Sequence, residues 1–186
     1  MMTDFILKSN FFIFTGGPGS GKTTTLTALE KQNYIVVPEV ARPIIKHQQA
    51  IGGNACHTGD RDAFLNLMLK SSIRDYQRMQ HEKNAVFFDR GIPDLFGYAE
   101  AFCKKESWEV KEAVAYYRYN VTVFIFPPWE KIYINDKERQ QDFIESQQTY
   151  IALKEGYLHC DYELVEVPEN SVGKRVEFIL SVLSTT

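Results

Sequence analysis

Short unbroken apolar runs alternate along this chain with longer stretches in which apolar residues recur every three or four positions. The first kind reads as buried strands and the second as helices with one inward face. Five runs are of the first kind: Phe11 to Phe14, Tyr34 to Val37, Ala85 to Asp89, Val121 to Phe126 and Tyr162 to Val167. Helical spacing is expected from Thr23 to Lys31, with Leu26 and Leu29 inward, in a short segment from Pro43 to Gln49, and from about Asp60 to Glu82. In the last of these, Leu65, Leu69, Ile73, Tyr76 and Met79 form the apolar face. Further helices are expected over 95–119, divided near Lys104 to Trp108, from Gln140 to Gly156, and from Ser171 to Leu183. Residues 1–10 read as a frayed lead-in, the stretch before Asp60 as a mobile loop, and Asp94 as a cap on the helix after it.

Apolar strands separated by helices predict a parallel sheet covered on both faces, an α/β architecture. No internal repeat, low-complexity run or linker divides residues 1–186, so one domain is expected. Ligands bind such sheets at the carboxyl ends of the strands. Gly16 to Thr23, Glu39 to Arg42, Asp89-Arg90, Pro127 to Trp129 and Pro168 to Ser171 are therefore expected around one crevice.

Composition narrows the function classes. Apolar content of 44% and charged content of 24% suit a globular domain, and a net charge of −3 argues against general nucleic-acid binding. Cys56, Cys103 and Cys160 are widely spaced and read as reduced thiols. Neither a membrane-length apolar run nor a signal-peptide pattern is visible, so a cytoplasmic monomer or homodimer is expected, with no membrane partner.

The chemistry starts at Gly16-Gly17-Pro18-Gly19-Ser20-Gly21-Lys22-Thr23, which fits G-x-x-x-x-G-K-[ST] between a strand and a helix. Small residues let successive backbone N–H groups turn toward an anion, and the helix end adds its positive dipole. Residues 16–23 and Thr24 are the expected triphosphate cradle, with Lys22 reaching the β- and γ-phosphates and Thr23 holding Mg²⁺. Asp89, ending an apolar strand, is a candidate for ordering Mg²⁺ through water or for accepting a proton, against the plainer role of a loop cap. Arg90 is a candidate for pairing with a phosphate or carboxylate, against a structural salt bridge. Glu39 and Arg42, three apart, are candidates for general base and acceptor anchor, or for a local ion pair. Arg139 leads Lys131 and Lys137 as a lid cation for the γ-phosphate, in a lid-like segment around 129–145; a solvated charged face is the alternative. Cys56-His57 lacks a second pair at zinc-ligand spacing. Trp129 either stacks on a base or covers the core.

GGPGSGKTT, PEVAR, FFDRGIPD and FPPW together resemble the small P-loop ATPase/kinase family that includes the ribosylnicotinamide kinase domain of the bacterial NAD regulator. The resemblance spans residues 11 to 183. It implies a three-layer α/β/α P-loop fold with strand order 2-3-1-4-5, ATP with Mg²⁺ as cofactors, and Glu39, Arg42, Asp89 and Arg90 around an acceptor. Asp89-Arg90 departs from the Asp-Thr pair of that kinase domain and is similar to thymidylate and deoxynucleoside kinases, so nicotinamide riboside does not carry over as acceptor. Nothing resembling the sensor and arginine-finger domain of ring-forming motors follows Ser171. The expected function is ATP-dependent phosphoryl transfer to a small-molecule acceptor, a nucleoside or nucleotide. A slow NTPase switch and a nucleotide-dependent ligand-binding module are the alternatives.

Overall fold

In the computed structural model, which describes residues 5–103, 107–132 and 143–184, the chain is built around β1 (Phe11–Gly16), buried along its whole length. Phe11 and Ile13 face one helical layer and Phe12 and Phe14 the other, the period of two that a pleated strand imposes. A strand apolar on both faces belongs at the centre of a sheet, and β1 is there. β2 (Ile35–Val37), β3 (Val86–Asp89), β4 (Thr122–Phe126) and β5 (Glu163–Glu166) complete five strands in the order β2-β3-β1-β4-β5, each pair parallel. This is the three-layer P-loop architecture that the resemblance implies. β3 is inserted between β1 and β2, so the ends of β1 and β3 are neighbours.

One layer holds α2 (Ala41–Ile51), α3 (Arg61–Met79), α4 (Asp94–Tyr98), α5 (Trp108–Tyr116) and α6 (Phe143–His159). The other holds α1 (Lys22–Glu30) and α7 (Val172–Leu183), packed on the phenylalanine-rich face of the sheet. There the Phe14 ring lies 5.1–5.5 Å from those of Phe87, Phe124 and Phe126. Removing such a buried ring costs about 3–5 kcal/mol.

Several expectations need correction. Ile6–Leu7 is not frayed: it pairs in parallel with Tyr117–Arg118, and the buried Tyr76 hydroxyl donates to Ile6 O and Arg118 O at 3.0 and 2.8 Å. The helical stretch expected to reach 119 therefore stops at Tyr116. The loop before Asp60 is folded on itself rather than free. Gly53 N donates to Gln48 O, Ala55 N to Gln48 Oε1 and Asp60 N to Asn54 O. α6 runs past Gly156, the expected stop, because Gly97 and Gly156 let α4 and α6 cross closely; a Cβ on Gly156 would lie 3.3 Å from Gly97 N.

Candidate active site

The turn from β1 into α1 uses positive backbone φ at Gly16 (131°), Gly19 (73°) and Gly21 (85°), a region L side chains rarely adopt. No side chain caps α1 at Gly21, so its first amides face the loop. Lys22 opens the helix and is buried; its Nζ donates to Gly16 O and Gly17 O at 2.8 Å each, and to Ser20 Oγ at 3.3 Å. Thr23 and Thr24 are exposed at the mouth of the loop. Gly17 serves packing as well: a Cβ there would sit 2.5 Å from Ser146 Oγ and 2.7 Å from Ser146 O, on α6. Ser146 Oγ in turn donates to Pro18 O at 2.9 Å.

Because β3 neighbours β1, Asp89 reaches the start of α1, and Thr23 Oγ1 donates to Asp89 Oδ2 at 3.3 Å. Asp89 Oδ1 is buried with no hydrogen-bond partner among the described residues. Burial pushes the Asp89 carboxyl up from its usual 3.8; Lys22 and Arg90 pull it down, while Glu39 and Asp94 add to the rise. A buried carboxylate oxygen without a partner calls for a proton, a cation or a ligand donor. Thr23 and Asp89 thus fit a Mg²⁺ site, either directly or through ordered water. Among the described residues, no three His, Cys, Asp or Glu side chains converge on a metal position.

Arg90 has a positive φ of 72°, a backbone state held only where the surroundings fix it. Its N–H still bonds Phe14 O at 3.0 Å. Its guanidinium donates to Glu39 Oε1 at 3.3 Å, Asp94 Oδ1 at 2.9 Å and Gly16 O at 3.0 Å. Burial alone would lower its proton affinity, but Asp94, Glu39 and Asp89 outweigh that and raise it. Glu39 also meets Arg42 at 3.8 Å, so the local ion pair between these two exists, beside a second one to Arg90.

Beside these groups opens a cavity of about 790 Å³, within the range of small-molecule sites. Glu39, Asp89, Arg90 and Asp94 form its polar end. Ile45, Phe64, Met68, Tyr98 and Phe102 form an apolar wall. Tyr98 precedes and Phe102 lies within a π-helical segment, Ala99–Cys103, a rare geometry that recurs at functional sites. Arg61 ties this wall to the preceding loop by donating to Phe102 O at 3.1 Å and His57 O at 2.9 Å.

The structure therefore brings together Gly16, Gly17, Pro18, Gly19, Ser20, Gly21, Lys22, Thr23, Asp89, Glu39, Arg42 and Arg90. Arg139 lies outside the described residues, as do Lys137 and most of the segment expected as a lid. Two residues escaped the sequence reading. Asp94 does not cap its helix, whose cap position is Pro93. Its carboxylate instead accepts from Thr15 Oγ1 (2.6 Å), Arg90, Gly91 N (2.8 Å) and Tyr157 OH (2.5 Å). Its spacing of four from Arg90 was the available signal. Arg175, on α7, is buried, lies over the Trp129 ring at 5.6 Å and donates to Gly21 O at 3.4 Å. Burial lowers its proton affinity. Trp129 thus packs on an arginine at the flank of the loop, and nothing in the spacing of these residues pointed to that.

A protein family described as an AAA domain matches residues 11–175. No curated protein sequence matches the chain. Among solved structures, a deoxyadenosine kinase from M. mycoides with dCMP and dCDP bound is similar in fold, with a TM-score of 0.60 at 15% identity, covering 95% of this chain and 100% of that one. A thymidylate kinase from Candida albicans gives a TM-score of 0.60 at 13% identity, covering 94% and 91%. NadR in complex with NR gives 0.71 at 16% identity over 94% of this chain, which spans 50% of NadR. No helix among the described residues is long and apolar enough to cross a membrane.

Proposed function

The chain belongs to the AAA-domain family, and on that premise we propose that it is an ATP-dependent phosphotransferase acting on a small hydroxyl-bearing acceptor of the nucleoside type. The observation that carries this reading is the cavity of about 790 Å³ that opens directly against the phosphate loop, with Asp89, Glu39 and Arg90 at its polar end. A slow NTPase switch needs no such second chamber.

Residues 16–23, Lys22 among them, would hold the triphosphate, and Thr23 and Asp89 would hold Mg²⁺. When bound, ATP supplies the transferable γ-phosphoryl group and Mg²⁺ neutralises charge on the phosphates. The acceptor enters the cavity hydroxyl first. Asp89 takes the hydroxyl proton, since its Oδ1 has no partner among the described residues, whereas Glu39 is tied to two arginines. Arg90 orients the acceptor, and Arg42, which was expected to do so too, does not line the cavity and reaches it only through Glu39. The polar end sets three carboxylates (Glu39, Asp89, Asp94) against Arg90, while Arg42, exposed, meets Glu39 from outside the cavity lining. That balance favours a neutral alcohol over an anionic phosphate as nucleophile. The similarity in fold to a deoxyadenosine kinase is in keeping with a nucleoside acceptor, whereas that to a thymidylate kinase would go with a nucleotide.

The test is ATP consumption by the purified chain against a panel of nucleosides, nucleoside monophosphates and pantothenate-like alcohols. Stimulation by one nucleoside, lost in Lys22→Ala, is expected. A low basal rate that no compound changes would favour the switch, and full turnover by Asp89→Asn would remove the assigned base.

A further inference from the structure

α6 is apolar on two opposite faces. Its inner face carries the buried Ser146, Leu153, Gly156 and Tyr157. On its outer face Ile144, Ile151 and Leu158 remain 63%, 55% and 54% exposed. These three are spaced seven apart, so they drift only about 20° per step and form one stripe, roughly 21 Å long at the helical rise. The inner set lies about 180° around the helix from it. A helix on the surface of a globular domain needs one apolar stripe to hold it to the core, and among the described residues the second stays exposed.

We propose that this outer stripe is a two-fold interface with a second copy of the chain, the two α6 helices antiparallel and crossing at Ile151. The sequence is symmetric about that residue: Ile144 and Leu158 lie seven positions to either side. A two-fold axis there sets Ile151 on Ile151 and Ile144 on Leu158 of the second copy, the self-complementary arrangement a cyclic dimer requires. The flanks agree. Glu155 and Gln148 border the stripe on one side, Lys154 and Gln147 on the other. The same rotation opposes Glu155 to Gln148 and Lys154 to Gln147. No like charges meet, and glutamine can donate to the carboxylate and accept from the ammonium. One helix seam is a small interface, so the association is weak and concentration-dependent. It would brace the back of the helix whose inner face places Ser146 against Pro18 O and Tyr157 against Asp94. The proposal does not depend on the phosphotransferase reading.

Sedimentation equilibrium of the full chain across a broad concentration range tests it. The expected mass rises from 21.5 kDa toward twice that value. Ile151→Glu, which would bury two carboxylates on the axis, weakens association about tenfold or more. Because the site is exposed in one chain, Ile151→Glu should melt like the parent, which separates dissociation from misfolding. Under mild oxidation Ile151→Cys gives a disulfide-linked dimer, whereas Thr27→Cys, on α1 in the other helical layer, does not. A chain monomeric at every concentration overturns the proposal, as does a dimer that survives Ile151→Glu. Absence of the Ile151→Cys cross-link in a dimer overturns the crossing point.

Discussion

Arg90 and Asp94, four residues apart, form an ion pair with Nη1 2.9 Å from Oδ1, the aspartate buried and the arginine half-buried. This pair fixes the polar end of the cavity. Asp94 is 4% exposed and holds three further donors, from Thr15, Gly91 and Tyr157. It thereby ties β1, the turn after β3, and α6 to one carboxylate. The Arg90 guanidinium is left facing Glu39 and Gly16 O, between the phosphate loop and the acceptor chamber. Asp94 is a positioning residue.

Asp94→Ala removes an acceptor from a half-buried arginine and a buried tyrosine at once. Breaking such a pair costs about 3–5 kcal/mol, and urea unfolding should show a loss of that size. Asp94→Asn should recover only part of it, since each carboxylate oxygen accepts from two donors and the amide nitrogen must face one of those pairs. A loss near zero for Asp94→Ala would mean that the network carries no net stability.

Asp89 should behave in the opposite sense. Its carboxyl titrates above the usual 3.8 in the folded chain because of burial. Between the unfolded and the folded value the native state binds more protons, so this group's contribution to stability falls as pH rises through that window. At neutral pH the charged form is a cost to folding. Asp89→Asn should therefore melt higher than the parent at pH 7, with the gap closing as pH falls toward 3.8, while turnover drops about 100-fold or more. Melting curves taken over a pH series check the sign. An Asp89→Asn variant that melts lower than the parent at pH 7 would show that the Thr23 and Lys22 contacts outweigh the burial.

The fold was legible because its strands are short apolar runs stopped by breakers, and the phosphate loop because its glycines and Lys22 sit at fixed spacing between a strand and a helix. Asp89 and Arg90 were legible as a strand end. What escaped depends on tertiary proximity. Asp94 carries the same local signature as any capping aspartate, and only the approach of Thr15 and Tyr157, 79 and 63 positions away, makes it a hub. Gly156 suggested a helix end, since a mid-helix glycine costs about 1 kcal/mol relative to alanine; the crossing with Gly97 accounts for it. Ile6–Leu7 is too short to register as a strand without its partner at Tyr117–Arg118.

Gly17 lies in a loop position where the phosphate-binding pattern places no demand on residue type, yet the contact with Ser146 imposes one. Gly17→Ala puts a methyl group 2.5 Å from Ser146 Oγ and 2.7 Å from Ser146 O. The hydroxyl can rotate away, but the carbonyl belongs to the first turns of α6, so the helix or the loop must shift. Overpacking of this kind costs about 1–3 kcal/mol. Ser146→Ala in the Gly17→Ala background removes only the side-chain clash, and also the bond to Pro18 O, so it should return a fraction of the lost stability. ATP affinity should fall alongside, because the same shift displaces the amides of residues 17 and 18. Denaturant melts and nucleotide titrations on the two single variants and the double variant measure the coupling. Additive effects would show that loop and helix move independently, and a positive coupling of about 0.5 kcal/mol or more that they are packed as one.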